Sequence, residues 1–315
     1  DAVSYALVME ELSHACASTS TSVSVQNSLV NDVFLKFADD AQQQKYLPKL
    51  ATGAWIGAFA LSEPESGSDA GAMKTTAVRE GEAYVLNGSK MWITNAGFAD
   101  VFVVLATTDA AQKHRGVSCF VVEKGAKGFS IGKEEDKLGI RGTSTCEIHF
   151  DHCRVPAAHR IADEGMGFKI AMVTLNGGRI GIAAQALGLA QAALDEAVNY
   201  AQEREAFGQK IATFQSIQFK LAEMKAQIEA ARLLVYKAAW KKDQGLDYAV
   251  DSAIAKLVAG ELASQAADQA LQIHGGYGYI RDYKVERLYR DARITRIYEG
   301  TSEIQKLVIS RSLLG

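Results

Sequence analysis

The sequence lacks the features that define several protein classes. It has only four cysteines among 315 residues, and Cys16, Cys119, Cys146 and Cys153 are too few and too scattered for a disulfide framework. This cysteine usage fits a reducing compartment. No uncharged apolar run reaches the roughly 18 residues of a membrane-spanning helix. We therefore expect neither a disulfide-stapled domain nor a membrane span.

The sequence also has no large excess of positive or negative charge. The chain has 34 Lys and Arg against 37 Asp and Glu, for a net charge of −3. The basic residues are spread along the whole chain, which argues against nucleic acid as the main partner. The first residues have helical spacing and do not resemble a secretory signal, so the sequence predicts a protein that is not secreted.

Three regions with different patterns predict an α+β protein. Residues 1–53 have apolar residues at helical spacing and predict N-terminal helices. Residues 54–160 contain six short β-type runs separated by Gly, Asn, Asp and Ser, which predict a central antiparallel β barrel or sandwich. Residues 161–315 contain long runs of strong helix formers with short Gly-containing connections, which predict a C-terminal helical bundle.

Local signals predict individual turns and helix ends. Asn87-Gly88 lies between two β-type runs and predicts a hairpin turn. Asp40 is a candidate helix cap. Ser302 and Gln305 have the S-x-x-Q spacing of a capping box, which predicts that Ser302 caps a final helix.

Cys146, His149, His152 and Cys153 offer residue types that bind zinc. In a strand, however, alternate side chains face opposite ways. Cys146 and His152 would share one face while His149 and Cys153 take the other, which makes a four-ligand site awkward. We expect no metal site. The G-x-G at 276–278 follows a helical pattern rather than a strand and does not predict a βαβ dinucleotide fold.

Five separated motifs carry the functional signal. They are FALSEPESGSDAGA at 59–72, GSKMWITNAG at 88–97, EREAFG at 203–208, QIHGGYGY at 272–279 and RDARITRIYEGTSEIQ at 290–305. In this order they resemble the acyl-CoA dehydrogenase family over the whole chain. Three further segments are most similar to its short-chain, butyryl-type branch: SVSVQNSL at 22–29, KEEDKLGIRGTST at 133–145 and NGGRIGIAAQALGLAQ at 176–191. Family members carry further helices before the segment that opens here, so we expect the N-terminal helical domain to be incomplete.

The resemblance implies an FAD enzyme that converts a short-chain acyl-CoA to the trans-2-enoyl-CoA. Glu299 matches the base that removes the α proton, while a hydride passes from the β carbon to flavin N5. Some relatives carry the base at the position of Gly178, where this chain has no carboxylate. Removing a weakly acidic proton needs a positioned carboxylate, and a carboxylate walled off from water has a raised pKa. The alternative interpretation of Glu299 is a solvated carboxylate near a helix N-terminus.

Four residues match substrate-side positions of the family. Ser68 matches a pantetheine or phosphate contact, although its SGSD sequence could be only a turn. Arg179 matches a position near the base, and its alternative is an ordinary charge on a helix surface. Tyr298 and Gly300 flank the base, and the glycine leaves room for a flat ligand.

Other residues match the family's flavin contacts. Leu61 and Ser62 match donors to the pyrimidine end, while Trp92 and Thr94 match the stacking ring and the hydroxyl near N5. The alternative is that Trp92 belongs to the β-sandwich core and Thr94 is an ordinary strand residue. The positions that reach the ADP half of FAD from a neighbouring subunit are Arg204, Phe207, Gln215, Gln272 and Gly276. Thr301 and Glu303 match contacts to FAD that the family makes with the segment following the base in sequence. The alternative for Glu303 is an acidic residue that simply favours a helix N-terminus.

The resemblance also implies partners and a location. It predicts electron-transfer flavoprotein as the electron acceptor, a homo-oligomer of the tetrameric kind, and a place in the bacterial cytoplasm or the mitochondrial matrix. Two alternatives remain open. One is an acyl-CoA oxidase that passes electrons to oxygen, and the other is a non-catalytic flavoprotein scaffold or fragment.

Overall fold

The computed structural model describes all 315 residues and divides the chain into two compact units. The first comprises Asp1–Thr21, Lys137–Arg141 and Arg179–Gly315, and the second comprises Ser22–Asp136 and Gly142–Gly178. No helix combines the length and the apolar character that crossing a membrane would need. The domain boundaries at residues 53 and 160 stay predictions.

Helices occupy the two ends of the chain, as the sequence predicts. They are α1 Ala2–Ala15, α2 Ala17–Ser24, α3 Asp32–Phe37, α4 Asp40–Ala51, α5 Gly167–Glu203, α6 Gln215–Asp243, α7 Ala249–His274, α8 Lys284–Ala292 and α9 Ser302–Leu314. A π-helical segment, Val25–Asn31, joins α2 to α3. The long helices α5, α6 and α7 consist mainly of strong helix formers and contain no proline.

Eight strands form one sheet in the second unit. They are β1 Gly57–Ala60, β2 Thr76–Glu80, β3 Ala83–Thr94, β4 Val101–Thr107, β5 Val117–Glu123, β6 Phe129–Glu134, β7 Thr145–Pro156 and β8 Arg160–Ile161. Their order is β6-β7-β3-β2-β4-β5-β8, with β1 paired to β4. The α+β class is confirmed, but the sheet is open rather than a closed barrel. It is also not purely antiparallel, because β1 and β2 pair with β4 in parallel.

Both faces of the central strands are buried. In β4, Val103 and Leu105 pack in one core cluster with Phe34 of α3. Phe102 and Val104 belong to a second cluster that includes residues of β3 and β7. This burial explains why β4 is a continuous apolar run rather than an alternating one.

The hairpin predicted at Asn87-Gly88 is wrong, because both residues lie inside β3. Gly88 has a φ of +139° beside a shift in the pairing register with β7. A Cβ there would lie 2.8 Å from the Cα of Thr75. The glycine therefore serves a β-bulge, which uses the same conformational freedom as a hairpin turn. The turn between β2 and β3 lies instead at Gly81, whose φ is +61°.

The same bulge corrects the faces assigned in β7, because its extra residue lies in that strand: Leu86 pairs with Cys153 and Gly88 with Phe150. His152 has a φ of +49°, and Cys146 and Cys153 both belong to the same buried cluster as a result. His149 and His152 keep 44% and 83% of their side-chain surface exposed. All four cysteines of the chain are free thiols.

The helix α4 begins one residue earlier than a cap at Asp40 would require, because Asp40 is itself the first helical residue. Asp39 is the cap, and its carboxylate accepts a hydrogen bond from the main-chain nitrogen of Gln42 at 2.8 Å. The Gln42 side chain accepts one from the nitrogen of Asp39 in return, so this cap is a complete capping box.

Candidate active site

Glu299 lies in the first unit on a strained turn just before α9. Its φ is +50°, and that of Gly300 is +94°, so two consecutive residues occupy the left-handed region. A non-glycine residue in this region is uncommon, and such strain is concentrated at functional sites. A Cβ at position 300 would lie 2.7 Å from Nε2 of Gln305. The turn therefore requires glycine after Glu299.

Two side chains hold this turn through one carbonyl oxygen. The oxygen of Gly300 accepts hydrogen bonds from Nζ of Lys256 at 2.6 Å and from Nε2 of Gln305 at 2.8 Å. Lys256 lies on α7 and Gln305 on α9. The orientation of the Glu299 backbone is therefore fixed from two helices.

The cap of α9 is Thr301, and the prediction of Ser302 is wrong by one residue. The Thr301 hydroxyl accepts a hydrogen bond from the main-chain nitrogen of Ile304 at 3.3 Å. Ser302 is the first helical residue, and its hydroxyl donates to Oε1 of Glu261 at 2.7 Å. Gln305 does not complete a capping box, since its amide is used on Gly300.

The carboxylate of Glu299 is largely withdrawn from water. Its Oε2 is shielded from solvent and accepts no hydrogen bond. Burial raises the pKa of Glu299 to about 7, against the opposing positive charges of Lys256 and Arg179. This value lies where a general base for neutral pH is most effective. The interpretation of Glu299 as a solvated helix-end carboxylate does not fit this environment.

Arg179 is buried on α5 rather than displayed on a helix surface, since only 5% of it is exposed. Burial lowers the pKa of Arg179, and the negative charge of Glu299 opposes that effect. The alternative of an ordinary surface charge is therefore wrong.

Tyr298 is anchored by its hydroxyl, which donates a hydrogen bond to Oε1 of Gln185. The Gln185 amide in turn donates to Oγ1 of Thr21 at 2.6 Å and to the carbonyl of Ala17 at 3.0 Å. Gln185 is completely buried. The residue before Glu299 is thus connected to α5 and to the N-terminal helices of the same unit.

Arg204 and Gly276 line one cleft of the first unit, with a volume of about 530 Å³. The guanidinium carbon of Arg204 lies 5.3 Å from the ring centroid of Tyr277. A Cβ at Gly276 would meet no atom within 4 Å, so the backbone there is open to a ligand. An arginine beside accessible backbone fits a phosphate-bearing ligand.

The other residues matched to the ADP half do not line this cleft. Phe207 and Gly208 have φ values of +51° and +79° and form the turn of a small hairpin, β9 Glu205–Ala206 and β10 Gln209–Lys210. Phe207 is 95% exposed there. Gln215 at the start of α6 and Gln272 in the last turn of α7 are exposed, as is Glu303 in the first turn of α9.

Trp92 lies in the second unit at a bulge of β3. Its φ is +63°, and the pairing with β7 shifts between Lys90 and Ile93. The bulge turns the indole outward, so 57% of the residue is exposed. The alternative that Trp92 belongs to the sandwich core is therefore wrong. Thr94, at the end of the same strand, is half-buried and pairs with Thr145.

The segment with Leu61 and Ser62 is tied to this bulge. The main-chain nitrogen of Met91 donates to the carbonyl of Ser62 at 2.8 Å, and Nζ of Lys90 donates to the carbonyl of Leu61 at 3.0 Å. Lys90 also reaches Oε1 of Glu63 at 2.7 Å. The structure thus brings Leu61, Ser62 and Trp92 together in one unit.

Ser68 is exposed on the loop that follows this segment. The loop is closed by a hydrogen bond from the Ser66 hydroxyl to the carbonyl of Asp69 at 2.8 Å. Its turn geometry leaves the Ser68 hydroxyl accessible to solvent.

Sequence reasoning missed Lys90, Gln185 and Lys256, and it gave Gln305 a capping role, whereas all four position residues that it did single out. Each is a polar side chain that is buried by tertiary packing. Of these residues, only Lys90 could have been predicted from the sequence, because a lysine between two apolar stretches of a strand needs a buried partner.

The side chains present fit a flavin nucleotide. An outward-facing indole at a bulge offers a stacking surface for a ring system, and the cleft at Arg204 offers a cation and open backbone for phosphate oxygens.

Comparison with known proteins agrees with this assignment. Models of the acyl-CoA dehydrogenase N-terminal, middle and C-terminal domains match residues 1–54, 58–153 and 165–314. The chain is 54% identical over 314 residues to the mitochondrial short-chain specific acyl-CoA dehydrogenase of Homo sapiens, covering 100% of this chain and 76% of the relative.

Solved structures match as well. Butyryl-CoA dehydrogenase from Megasphaera elsdenii superimposes with a TM-score of 0.99 at 49% identity, over 100% of this chain and 82% of that one. A chain from the structure of the electron transferring flavoprotein of Acidaminococcus fermentans, described in terms of flavin-based electron bifurcation, gives the same TM-score and identity. That match covers 100% of this chain and 83% of the other.

Fold, site and comparisons together define a flavin-dependent oxidoreductase. The chain belongs to the acyl-CoA dehydrogenase family, which confirms the resemblance carried by the five motifs.

Proposed function

We propose that this protein catalyses the FAD-dependent α,β-dehydrogenation of a short-chain acyl-CoA to the trans-2-enoyl-CoA, with Glu299 as the base. The observation that carries the proposal is the carboxylate of Glu299. It is shielded from water on a strained turn, with a pKa raised to about 7, in a chain 54% identical to a short-chain specific dehydrogenase.

The reaction removes two hydrogens, and this chain's own residues account for the proton. Glu299 accepts the α proton, and the positive charges of Lys256 and Arg179 favour its ionised, proton-accepting form. The fixed turn at Gly300 limits the directions that the carboxylate can take. A bound FAD would supply the acceptor for the hydride that leaves the β carbon.

The cofactor would be held by the residues that match the family's flavin contacts. Leu61, Ser62, Trp92 and Thr94 would contact the flavin ring. The ADP half would be bound by Arg204, Phe207, Gln215, Gln272 and Gly276, supplied by a neighbouring subunit, and Thr301 and Glu303 would contact FAD after the base. A tetramer is typical of the family, and a site shared between subunits requires an oligomer.

On the substrate side, Ser68 would contact the pantetheine or phosphate part of acyl-CoA, and Arg179 would lie near the reacting thioester. The Tyr298 hydroxyl is engaged by Gln185. We therefore expect the ring of Tyr298, rather than its hydroxyl, to contact the acyl chain beside Gly300.

The electron acceptor would be an electron-transfer flavoprotein. The match to a chain from the structure of such a flavoprotein supports this partner. We expect the protein in the bacterial cytoplasm or the mitochondrial matrix, since one matched relative is a mitochondrial enzyme.

The test is an anaerobic titration of the purified holoprotein with butyryl-CoA, followed by its visible spectrum. Bleaching of the flavin band, with crotonyl-CoA formed in equal amount, supports the proposal. Unchanged absorbance with bound FAD would favour a non-catalytic flavoprotein. In air, peroxide equal to the substrate consumed would favour an oxidase and contradict the dehydrogenase assignment.

A further inference from the structure

Lys256 is a buried cation beside the candidate base. It lies on α7 with only 1% of its surface exposed. Its hydrogen bond goes to the main-chain carbonyl of Gly300 at 2.6 Å rather than to a carboxylate. Withdrawing an ammonium from water is costly, and a carbonyl compensates that cost less well than a paired carboxylate does. Stability alone therefore gives a poor account of a lysine here.

The charged groups that face Lys256 come from four parts of the unit. They are Glu299 on the strained turn, Arg179 on α5, Glu261 on α7 and Glu303 on α9. Burial lowers the pKa of Lys256 to about 8, and the charge of Glu299 opposes this most strongly. Conversely, Lys256 is the largest influence that opposes the raised pKa of Glu299, ahead of Arg179. The two groups are thus electrostatically coupled in a site of low polarity.

The hydrogen-bond geometry separates two effects of this lysine. The Gly300 carbonyl also accepts a hydrogen bond from Gln305 at 2.8 Å. Gln305 is therefore a second donor to the turn, but it is neutral. Of the two donors, only Lys256 brings a positive charge that acts on Glu299. Removing Lys256 would weaken the hold on the turn but remove its electrostatic effect completely.

We propose that Lys256 is a positioning residue for the base: it fixes the Glu299-Gly300 turn and its charge keeps Glu299 ready to accept a proton. This inference rests on the proposed function, in which Glu299 is the base. Lys256 acts through Glu299 and through the Gly300 carbonyl, and it does not itself exchange a proton with substrate.

The variants that test this are Lys256→Gln, Lys256→Met and Lys256→Arg in the full-length holoprotein. Glutamine keeps a donor without the charge, methionine removes both, and arginine keeps the charge. Lys220→Met is the matched control. Lys220 is half-buried on the neighbouring helix α6, and it donates at 2.8 Å to the side chain of Gln269 rather than to the strained turn.

The first readout is the titration of Glu299 itself, independent of turnover. Infrared difference spectra recorded against pH follow the band of the protonated carboxyl group, and Glu299→Gln identifies that band by its loss. We expect the two neutral variants to raise the pKa of Glu299 by about one unit. Lys256→Arg and the Lys220→Met control should leave it unchanged.

The second readout is the pH profile of kcat/KM with butyryl-CoA. If the pKa of Glu299 rises by about one unit, kcat/KM should fall roughly fivefold at pH 7 and should return to the wild-type value near pH 9. A merely structural role would lower activity equally at both pH values. Failure of both neutral variants to fold would overturn the inference, because a residue acting on one turn is not required for folding.

The outcomes also separate this inference from the proposed function. If Glu299→Gln abolishes reduction but the neutral Lys256 variants titrate like wild type, Lys256 has no such role while the base assignment stands. If Glu299→Gln remains active, the base is misassigned. The infrared titration then still shows whether Lys256 acts on Glu299.

Discussion

The ammonium nitrogen of Lys90 lies 2.7 Å from Oε1 of Glu63, and both side chains are almost completely shielded from solvent. Burial alone would raise the pKa of Glu63, but Lys90 and neighbouring donors hold it below its usual value. Because Lys90 also donates to the carbonyl of Leu61, this ion pair joins the segment at 61–63 to the bulge that presents Trp92.

We predict that Lys90→Met lowers the free energy of unfolding by about 3–5 kcal/mol, because it leaves the Glu63 carboxylate buried without a partner. The double variant Lys90→Met/Glu63→Gln should recover part of this loss. Urea unfolding measures both. The control is Lys74→Met, which removes an ion pair with Glu65 in which both side chains are 72% exposed and should change little. Equal stability of Lys90→Met and wild type would show that the pair does not hold this segment.

The pH dependence of catalysis should reflect the buried base. The pKa of Glu299 is raised above its ordinary value to about 7, and a base must be deprotonated to act. We therefore expect kcat/KM to rise with pH, to reach half of its plateau near pH 7 and to level off above. A profile that is already flat from pH 5.5 would contradict the burial of this carboxylate.

Trp92 should matter for the cofactor more than for the fold. Since 57% of the residue is exposed, Trp92→Ala should cost far less than the roughly 3–5 kcal/mol of a buried tryptophan, while lowering the FAD content per chain. Thermal unfolding of the apoprotein and the flavin-to-protein absorbance ratio check both parts. Val78→Ala, at an exposed position of β2, is the control. If Trp92→Ala were strongly destabilised but kept its full flavin content, Trp92 would be a residue of the fold rather than a flavin contact.

Arg204 should contribute to retention of FAD. We predict that Arg204→Ala loses FAD on dilution and dialysis, with Arg204→Lys intermediate, because lysine cannot pair bidentately with phosphate oxygens. Equilibrium binding of FAD to the apoprotein measures this effect. Arg79→Ala, at an exposed position of β2, should bind as wild type does. Wild-type affinity in Arg204→Ala would remove this arginine from the ADP site.

Local chemistry predicts most of the elements but not their irregularities. The long helices of the C-terminal region follow from strong helix formers. The bulge that involves Gly88 of β3 and His152 of β7 was missed because a bulge depends on the partner strand. The parallel pairing of β1 with β4 joins residues far apart in sequence, which no local pattern reveals.

In the candidate site, too, some features are visible in the local sequence and others depend on tertiary packing. The motif around Glu299 makes this residue the candidate base, because the order of motifs is visible in the sequence. The strain at Glu299 and the hydrogen bond from Lys256 to Gly300 could not be predicted, since both arise from packing of α7 against the turn. The residues proposed to touch a ligand come from motifs in the sequence, whereas the residues that position them become visible only in three dimensions.

The most direct test of the base assignment is the rate of flavin reduction by butyryl-CoA in Glu299→Gln under anaerobic rapid mixing. The variant should keep bound FAD and acyl-CoA binding, but reduction should slow by about 100- to 10,000-fold or more. The exposed Glu223→Gln is the control and should react as wild type does. Reduction of Glu299→Gln at the wild-type rate would show that another group takes the α proton.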